Sequence, residues 1–310
     1  MTAKVVVLTG GVGGAKLVMG LQLLGDAVDL TAIVNTGDDF SHLGLWISPD
    51  IDTLLYTLSG QANAAQGWGR EGESWNFMDA VRKLAGDDWF ALGDGDLALH
   101  ILRTHRLSGN ETLSAITADF ARCWHVETDV LPMSDQKVAT YLETDVGDLP
   151  FQHYFVEQRC QPVVERIRFE GADKARPAPG VIEALTADDT KAILVAPSNP
   201  YLSIDPILAV PGIREALRDA RAPVVAVSPI VGGDAVKGPT AKLMRELGVA
   251  VTPESVCAHY EDVLDGMLID RRDAVPDMAL AFAQSDILMT SLSDRERVAR
   301  AALDLAERLS

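Results

Sequence analysis

Cysteine is scarce in this chain. Cys123, Cys160 and Cys257 are its three cysteines in 310 residues, far apart and odd in number, with no CxxC pairing. That argues against a zinc site, a redox pair or a disulfide framework, and it suits a reducing compartment. Nowhere do about eighteen apolar residues run together, the length a membrane-spanning helix needs. The N-terminus passes from Thr2-Ala3-Lys4 straight into the strand-like Val5-Val6-Val7-Leu8, too short for a signal-peptide core. A soluble, cytoplasmic protein is expected. Basic residues are in deficit, 27 Lys and Arg against 45 Asp and Glu, and the formal charge is −18 with no local basic patch. Polynucleotides and anionic membrane surfaces are therefore disfavoured partners. A small anionic substrate can still be held by a few fixed donors and a divalent cation. His100, His153 and His259 occur singly, without an HxxxH or HxH pair, and read as surface or satisfied core residues rather than metal ligands. Internal repeats, low-complexity tracts and long linkers are missing as well.

What is present is enough apolar sequence, 47%, for a sizeable core. Residues 5–9 form a β-branched run ending in glycines, and the apolar positions of 16–24 repeat with helical spacing. A second buried-strand candidate, 30–34, breaks at Asn35-Thr36-Gly37-Asp38-Asp39. From about 52 to 124 the pattern is mostly helical, with helices predicted near 52–59, 75–85, 94–105 and 112–123. Residues 138–142, 151–156 and 163–169 read as strands, and an α/β rhythm then resumes: strand 192–195, helix 211–220, strand 224–227, helix 239–247, strand 249–251. The fold expected is α/β, a Rossmann-like doubly wound, mainly parallel sheet in one domain. Its core spans roughly 1–60 and 190–310, and 61–189 is a largely helical and mixed α/β insertion.

Candidate chemistry sits where strands end. Gly10-Gly11-Val12-Gly13-Gly14-Ala15-Lys16 lies between the first strand and first helix, where backbone amides and the positive helix end can cradle phosphate. It holds neither a full Walker motif nor a clean GxGxxG followed by an acidic residue ending the second strand. The plainer reading is a tight turn with close helix packing. Asp38, Asp39, Asp50 and Asp52 put four carboxylates within fifteen residues. They could bind Mg²⁺ alongside substrate phosphates and water, or accept a hydroxyl proton. Asp50 or Asp52 could instead cap a helix starting near Thr53. Pro197-Ser198-Asn199-Pro200 and Ser228-Pro229-Ile230-Val231-Gly232-Gly233 supply hydroxyls and amides after two further strands. Lys237-Gly238-Pro239 and Lys242 follow, and could neutralise a diphosphate. Leu92-Gly93-Asp94-Gly95-Asp96 and Leu131-Pro132-Met133-Ser134-Asp135 are weaker signals, since Asp94 and Asp135 can be caps or turn formers. The tryptophans read as core, with room for one to face a flat heterocycle. These loops predict an enzyme that binds a phosphorylated, nucleotide-like substrate at the carboxyl end of a parallel sheet. An NAD- or sugar-nucleotide-dependent enzyme and a nonenzymatic nucleotide- or flavin-binding protein are the alternatives.

In order along the chain, these loops resemble those of the 2-phospho-L-lactate transferase family of coenzyme F-420 biosynthesis. The carriers are Gly10 to Leu17, Asn35 to Asp39, Ser48-Pro49-Asp50-Ile51-Asp52-Thr53, Leu92-Gly93-Asp94, Leu131 to Asp135, Pro197 to Pro200 and Ser228 to Gly233. The resemblance implies transfer of a phosphorylated C3 acid (phospholactyl, phosphoenolpyruvyl or phosphoglyceryl) from a guanosine diphospho-adduct to 7,8-didemethyl-8-hydroxy-5-deazariboflavin, with GMP released. It also implies Mg²⁺ dependence and a homodimer. Carried onto this chain, it places Asp38, Asp50 and Asp52 at the metal and the chemistry. Substrate contacts then fall to Gly10, Gly11, Gly13, Gly14, Lys16, Asn35, Asp39, Ser134, Asp135, Ser198, Asn199, Ser228, Gly232 and Gly233. Relatives often carry a basic residue before the Leu-Gly-Asp motif, where this chain has Ala91; Lys83 or Arg103 could substitute.

Overall fold

Short runs that are apolar on both faces need cover from two sides, and they assemble here into one parallel sheet. The computed structural model describes residues 2–63, 66–236, 238–275 and 279–310. Its main strands are β1 (Ala3–Thr9), β2 (Val28–Val34), β3 (Asp129–Pro132), β4 (Thr190–Val195), β5 (Val224–Val227), β6 (Gly266–Asp270) and β7 (Ala281–Ser285). Their spatial order is β7-β6-β5-β4-β1-β2-β3, and each adjacent pair is parallel. The chain thus winds outward from β1 in one direction to β3, then from β4 in the other, the doubly wound pattern expected.

Alternation along β1 shows how the two faces are filled. Val5 and Val7 belong to a core shared with α1 (Gly11–Gln22), α2 (Pro49–Leu58) and, further along, α4 (Asp94–Ser108) and α5 (Leu113–Cys123), closed by the C-terminal helix Leu292–Leu309. Val6 and Leu8 face the opposite core, built on the helices Val181–Thr186, Ile213–Arg218 and Pro253–His259. A satellite cluster of Ile47, Met78 and Leu92 holds α3 (Asn76–Lys83) against the hairpin Phe40–His42/Leu45–Ile47. No helix among the described residues is long and apolar enough to cross a membrane.

Several local expectations change in the folded chain. Residues 129–132, inside the segment read as an insertion, form the edge strand β3 beside β2. The rest of the mixed part is a three-stranded antiparallel sheet of Ala139–Thr144, Gly147–Pro150 and Val164–Glu170. Residues 151–156 are helical rather than a strand, with a wide turn over His153–Glu157. Phe151 and Phe155 stack there with ring centroids 5.3 Å apart, a pairing that helical spacing allows and the roughly 13 Å between such residues on a strand does not. Residues 249–251 are a turn: Val249 N–H returns to Met244 O at 2.7 Å, and Thr252 then caps the next helix by accepting from Ser255 N–H. Both α1 and α2 start earlier than predicted, at Gly11 and Pro49, so the glycines and the Asp50/Asp52 pair lie inside first helical turns.

Candidate active site

The carboxyl ends of β1, β2, β4 and β5 open into one cleft of about 700 Å³. It lies where the winding reverses between β1 and β4, the place where an open parallel sheet leaves a crevice. Ser198, just after β4, ties the two sides together: its Oγ accepts from Gly10 N–H (3.2 Å) and donates to Gly10 O (2.7 Å). A Cβ on Gly10 would stand 2.5 Å from Asp50 Oδ2, so this approach requires glycine. Gly14 is packed under Ser198 and does not reach the cleft. The N-terminus of α1 carries neither a side-chain cap nor an acidic residue. Gly11 N–H is taken by Asp50 Oδ1 at 2.7 Å, while Val12 and Gly13 line the cleft with amides that have no intrahelical acceptor. Lys16 lines it too, its Nζ donating to Met289 O at 2.8 Å.

Next to these amides lie two carboxylates joined by one amide side chain. Asn35 Nδ2 donates to Asp50 Oδ2 (2.9 Å) and to Asp38 Oδ1 (3.3 Å), and Gln152 Nε2 reaches Asp38 Oδ2 from the other side (3.3 Å). Asn35 itself is set by Gly37 N–H, which donates to its Oδ1 at 2.7 Å. Burial pushes the Asp50 carboxyl up to about 6, against the opposing pull of the Asn35 and Gly11 hydrogen bonds. Asp38 is also held well above the usual carboxylate range, first by burial and then by the charges of Asp50 and Asp39. Two buried like charges at a cleft surface are relieved by a cation between them. Mg²⁺ characteristically takes one or two protein carboxylates and fills its octahedron with phosphate and water oxygens, so Asp38 and Asp50 fit that ion. A group of three or more His, Cys, Asp or Glu able to hold a metal does not occur among the described residues.

Asp52 and Asp39 are placed differently. Asp52 is paired with Arg103, which is fully buried: Nη1 donates to Oδ2 at 3.1 Å and Nη2 to Oδ1. Its charge is answered inside the protein, although the residue still borders the cleft. Asp39 accepts from Ser48 Oγ (2.6 Å) and Trp46 Nε1 (3.2 Å) behind the cleft wall. Burial holds its carboxyl well above the usual range. Neither Asp50 nor Asp52 caps α2; Ser48 occupies that position without a side-chain bond.

The cleft has one wall the loops did not reveal. Trp68, Trp89, Phe90, Phe151 and Phe155 line it, Trp68 being 55% exposed at the mouth. These aromatic residues share the cleft with the polar groups of the loops, as in most sites for organic ligands. Behind it, Tyr56 and Asp96 also reach the cleft, with Tyr56 OH donating to Asp96 Oδ1 at 2.5 Å. His100 joins them: it is buried, it lines the cleft, and its Nδ1 has no hydrogen-bond partner, so it is not the satisfied core histidine expected. The sequence signal for this group was present as spacing, Asp52/Tyr56 and Asp96/His100 each four residues apart on one helix.

The other sequence candidates divide between the cleft and positions away from it. Ser228 and Asn199 line the cleft; Asn199 Oδ1 accepts from Tyr201 and Leu202 N–H, and its Nδ2 is buried without a partner. Gly232 and Gly233, both at positive φ, are the two-residue turn of the hairpin Ile230–Val231/Asp234–Ala235 and do not line the cleft. Ser134 Oγ donates to Arg176 O (2.7 Å), and Asp135 accepts from Ser114 N–H (2.7 Å) and Oγ (2.9 Å), capping α5 away from the cleft. Asp94 likewise caps α3, accepting from Asn76 and Phe77 N–H. Lys237 lies outside the described residues. Lys242 is held by Pro162 O, Tyr154 OH and Glu246, away from the cleft. Ala91 lines the cleft; Lys83 is exposed on α3 and Arg103 is committed to Asp52, so neither places a charge beside it.

Comparison with known proteins shows the family and the fold. A member of the UPF0052 family from Bacillus halodurans has a solved structure that superposes with a TM-score of 0.65 at 18% identity, covering 98% of this chain and 99% of that one. That likeness shows the fold. Proteins named phosphoenolpyruvate transferase are 41% identical in Kitasatospora aureofaciens, over 99% of this chain and 98% of theirs. Those of Streptomyces coelicolor and Streptomyces griseus are 41% and 42% identical, each over 98% of both chains. Residues 5–308 match the family described as 2-phospho-L-lactate transferase CofD. The chain belongs to this family, and so to the phospho-transfer enzymes of coenzyme F-420 biosynthesis.

Proposed function

We propose that this cleft moves a phosphoenolpyruvyl group from its guanosine diphospho-adduct to the terminal ribityl hydroxyl of 7,8-didemethyl-8-hydroxy-5-deazariboflavin, releasing GMP. The names of the relatives favour phosphoenolpyruvyl over phospholactyl and phosphoglyceryl as the transferred acid. The observation that carries the reading is the Asn35-linked pair Asp38 and Asp50 beside the open amides of α1, at the switch point of the sheet. Bound between those carboxylates, Mg²⁺ would neutralise charge on the diphosphate.

The chain's own groups account for the remaining requirements. The Val12 and Gly13 amides and the α1 dipole hold the phosphate that leaves with guanosine. One of the two carboxylates, ionised when the cation is bound, would accept the proton of the attacking hydroxyl as the new O–P bond forms and the bond to the guanylate oxygen breaks. The aromatic wall fixes the flat acceptor and keeps water from competing for the phosphorus. A displacement of this kind depends on alignment and charge more than on a covalent enzyme intermediate, which suits a cleft with no nucleophile–base pair. Assembly as a homodimer and a cytoplasmic location belong to the same proposal.

The test is to incubate the purified protein with Mg²⁺, the deazariboflavin and each of the three guanosine diphospho-acids, following GMP release and acceptor mass. Product with the phosphoenolpyruvyl donor is expected. Product with another donor corrects the acid, and tight acceptor or GMP binding without turnover in all three leaves a binding role in place of transfer.

A further inference from the structure

The antiparallel sheet of the insertion docks on the core partly through the short helix Thr240–Glu246. Lys242 Nζ donates to Pro162 O (2.7 Å) and to Tyr154 OH (3.3 Å), and it pairs with Glu246 Oε1 (2.5 Å). The other Glu246 oxygen accepts from Val164 N–H at 3.1 Å. Beside these bonds Leu243 of the helix packs with Leu142, Tyr154 and Val164 of the insertion and with Leu202, which lines the cleft. One ion pair thus fastens the insertion at 154, 162 and 164 to a core helix whose first residue, Thr240, borders the cleft.

The segment fastened in this way supplies the insertion's share of the cleft. Phe151, Gln152, Phe155 and Val156 line it, whereas Tyr154 is fully buried on the opposite side of the same helical turn. Gln152 Nε2 donates to Asp38 Oδ2 (3.3 Å) and to Asp38 O (3.4 Å), so the seat of this turn bears directly on the acidic pair. Between the turn and Pro162, Arg159 and Cys160 hold φ of 50° and 55°, the left-handed region that non-glycine residues avoid. Such a conformation persists where surrounding contacts over-determine it. Lys242 on Pro162 O and Cys160 N–H on Tyr154 O, at 2.9 Å, are those contacts. An ion pair partly withdrawn from water adds little net stability, and its best-attested use is to fix register between the elements it joins.

We propose that Lys242 and Glu246 are positioning residues for the transfer. From outside the cleft they fix the seat of Tyr154, and through the turn that Tyr154 anchors they fix how Gln152 holds Asp38. A displacement of about 1 Å at a reacting group costs about a hundredfold in rate, so a partial loosening of this turn should cost about tenfold. That kinetic consequence rests on the proposed reaction; the structural link to Gln152 does not.

Two readouts keep the link and its consequence separate. The side-chain amide resonance of Gln152, identified by its loss in Gln152→Ala, is followed by two-dimensional NMR on the ligand-free protein. It should move in Lys242→Met and stay near its wild-type position in Lys242→Arg, which keeps the charge and the donors. Steady-state kinetics should show kcat about tenfold lower in Lys242→Met, the donor KM within about twofold of wild type, and most of the loss regained in Lys242→Arg. Gln152→Ala should also be about tenfold slower. The double variant should then be no slower than Gln152→Ala alone, where independent effects would multiply to about a hundredfold. A Gln152 resonance that Lys242→Met leaves unmoved overturns the inference, and so do losses that multiply. Should Lys242→Met not fold, Tyr154→Phe removes the hydroxyl alone and should give the same pattern at about threefold in kcat. Wild-type protein that does not turn over the deazariboflavin defeats the proposed reaction, and the Gln152 resonance still decides the link.

Discussion

Replacing Asp50 by Asn separates what this carboxylate does for the fold from what it does for the site. In the folded chain it accepts from Gly11 N–H and Asn35 Nδ2, yet burial still lifts its carboxyl from 3.8 to about 6. A folded-state pKa above the unfolded one means the native protein holds the extra proton. The contribution is fully present below about pH 4 and is lost as pH rises through about 6, so at pH 7 the ionised group carries a penalty of about 3 kcal/mol. Asn removes that penalty. It also leaves one of the two donors facing an NH₂ group, which costs about 1.5–3 kcal/mol for a bond formerly made to a charged acceptor. The two effects nearly cancel at pH 7.5, where the variant should lie within about 1.5 kcal/mol of wild type. At pH 4.5 about 1 kcal/mol of the penalty remains, and the variant should be less stable by about 0.5–2 kcal/mol. Urea denaturation in the presence of EDTA at both pH values measures the difference. Activity with saturating donor should meanwhile fall at least about 100-fold, with weaker Mg²⁺ dependence. A stability difference that stays constant between pH 4.5 and 7.5 refutes the account of Asp50 as a buried, partly compensated charge. Wild-type turnover and unchanged Mg²⁺ response refute its role at the metal.

Arg103→Met leaves Asp52 charged and unpaired in the interior, and a loss of about 3–5 kcal/mol is expected in denaturant melts. Gly14→Ala puts a methyl group 2.6 Å from Ser198 Oγ, so thermal unfolding should show a loss of about 1–3 kcal/mol together with weaker GMP binding, because Ser198 anchors the Gly10 loop. Asp135→Ala removes a second acceptor at the start of α5, beside the Thr112 cap, and should cost about 1 kcal/mol of stability while leaving kcat and KM unchanged; a loss of activity at full stability would return Asp135 to the substrate site.

The sequence determined, by itself, the features that are local. β-Branched runs followed by glycine or carboxylate loops mark strands and their carboxyl ends, and a parallel sheet places all such ends on one side. That is why the 10–16 loop, the 35–39 loop, Ser198, Asn199 and Ser228 could be assigned to one region before any coordinates. Helix starts were less legible, because Gly11 at φ +66 and the Ser48-Pro49 entry into α2 depend on how closely neighbouring segments approach.

Tertiary structure decided which partner each of two equivalent-looking residues meets. Asp50 and Asp52 are two positions apart on one helix, yet their side chains point to different neighbours: Asp50 to the amide of α1, Asp52 to Arg103, 51 residues away in sequence. Ser134-Asp135 has the look of a site motif, but α5 packs where it can take Asp135 as a cap. The aromatic wall is assembled from residues near 68, 89, 151 and 155, each an ordinary apolar residue where it stands. A carboxylate's role depends on which donor or like charge shares its burial, and that proximity is set by the packing of helices distant in sequence rather than by the residues beside it.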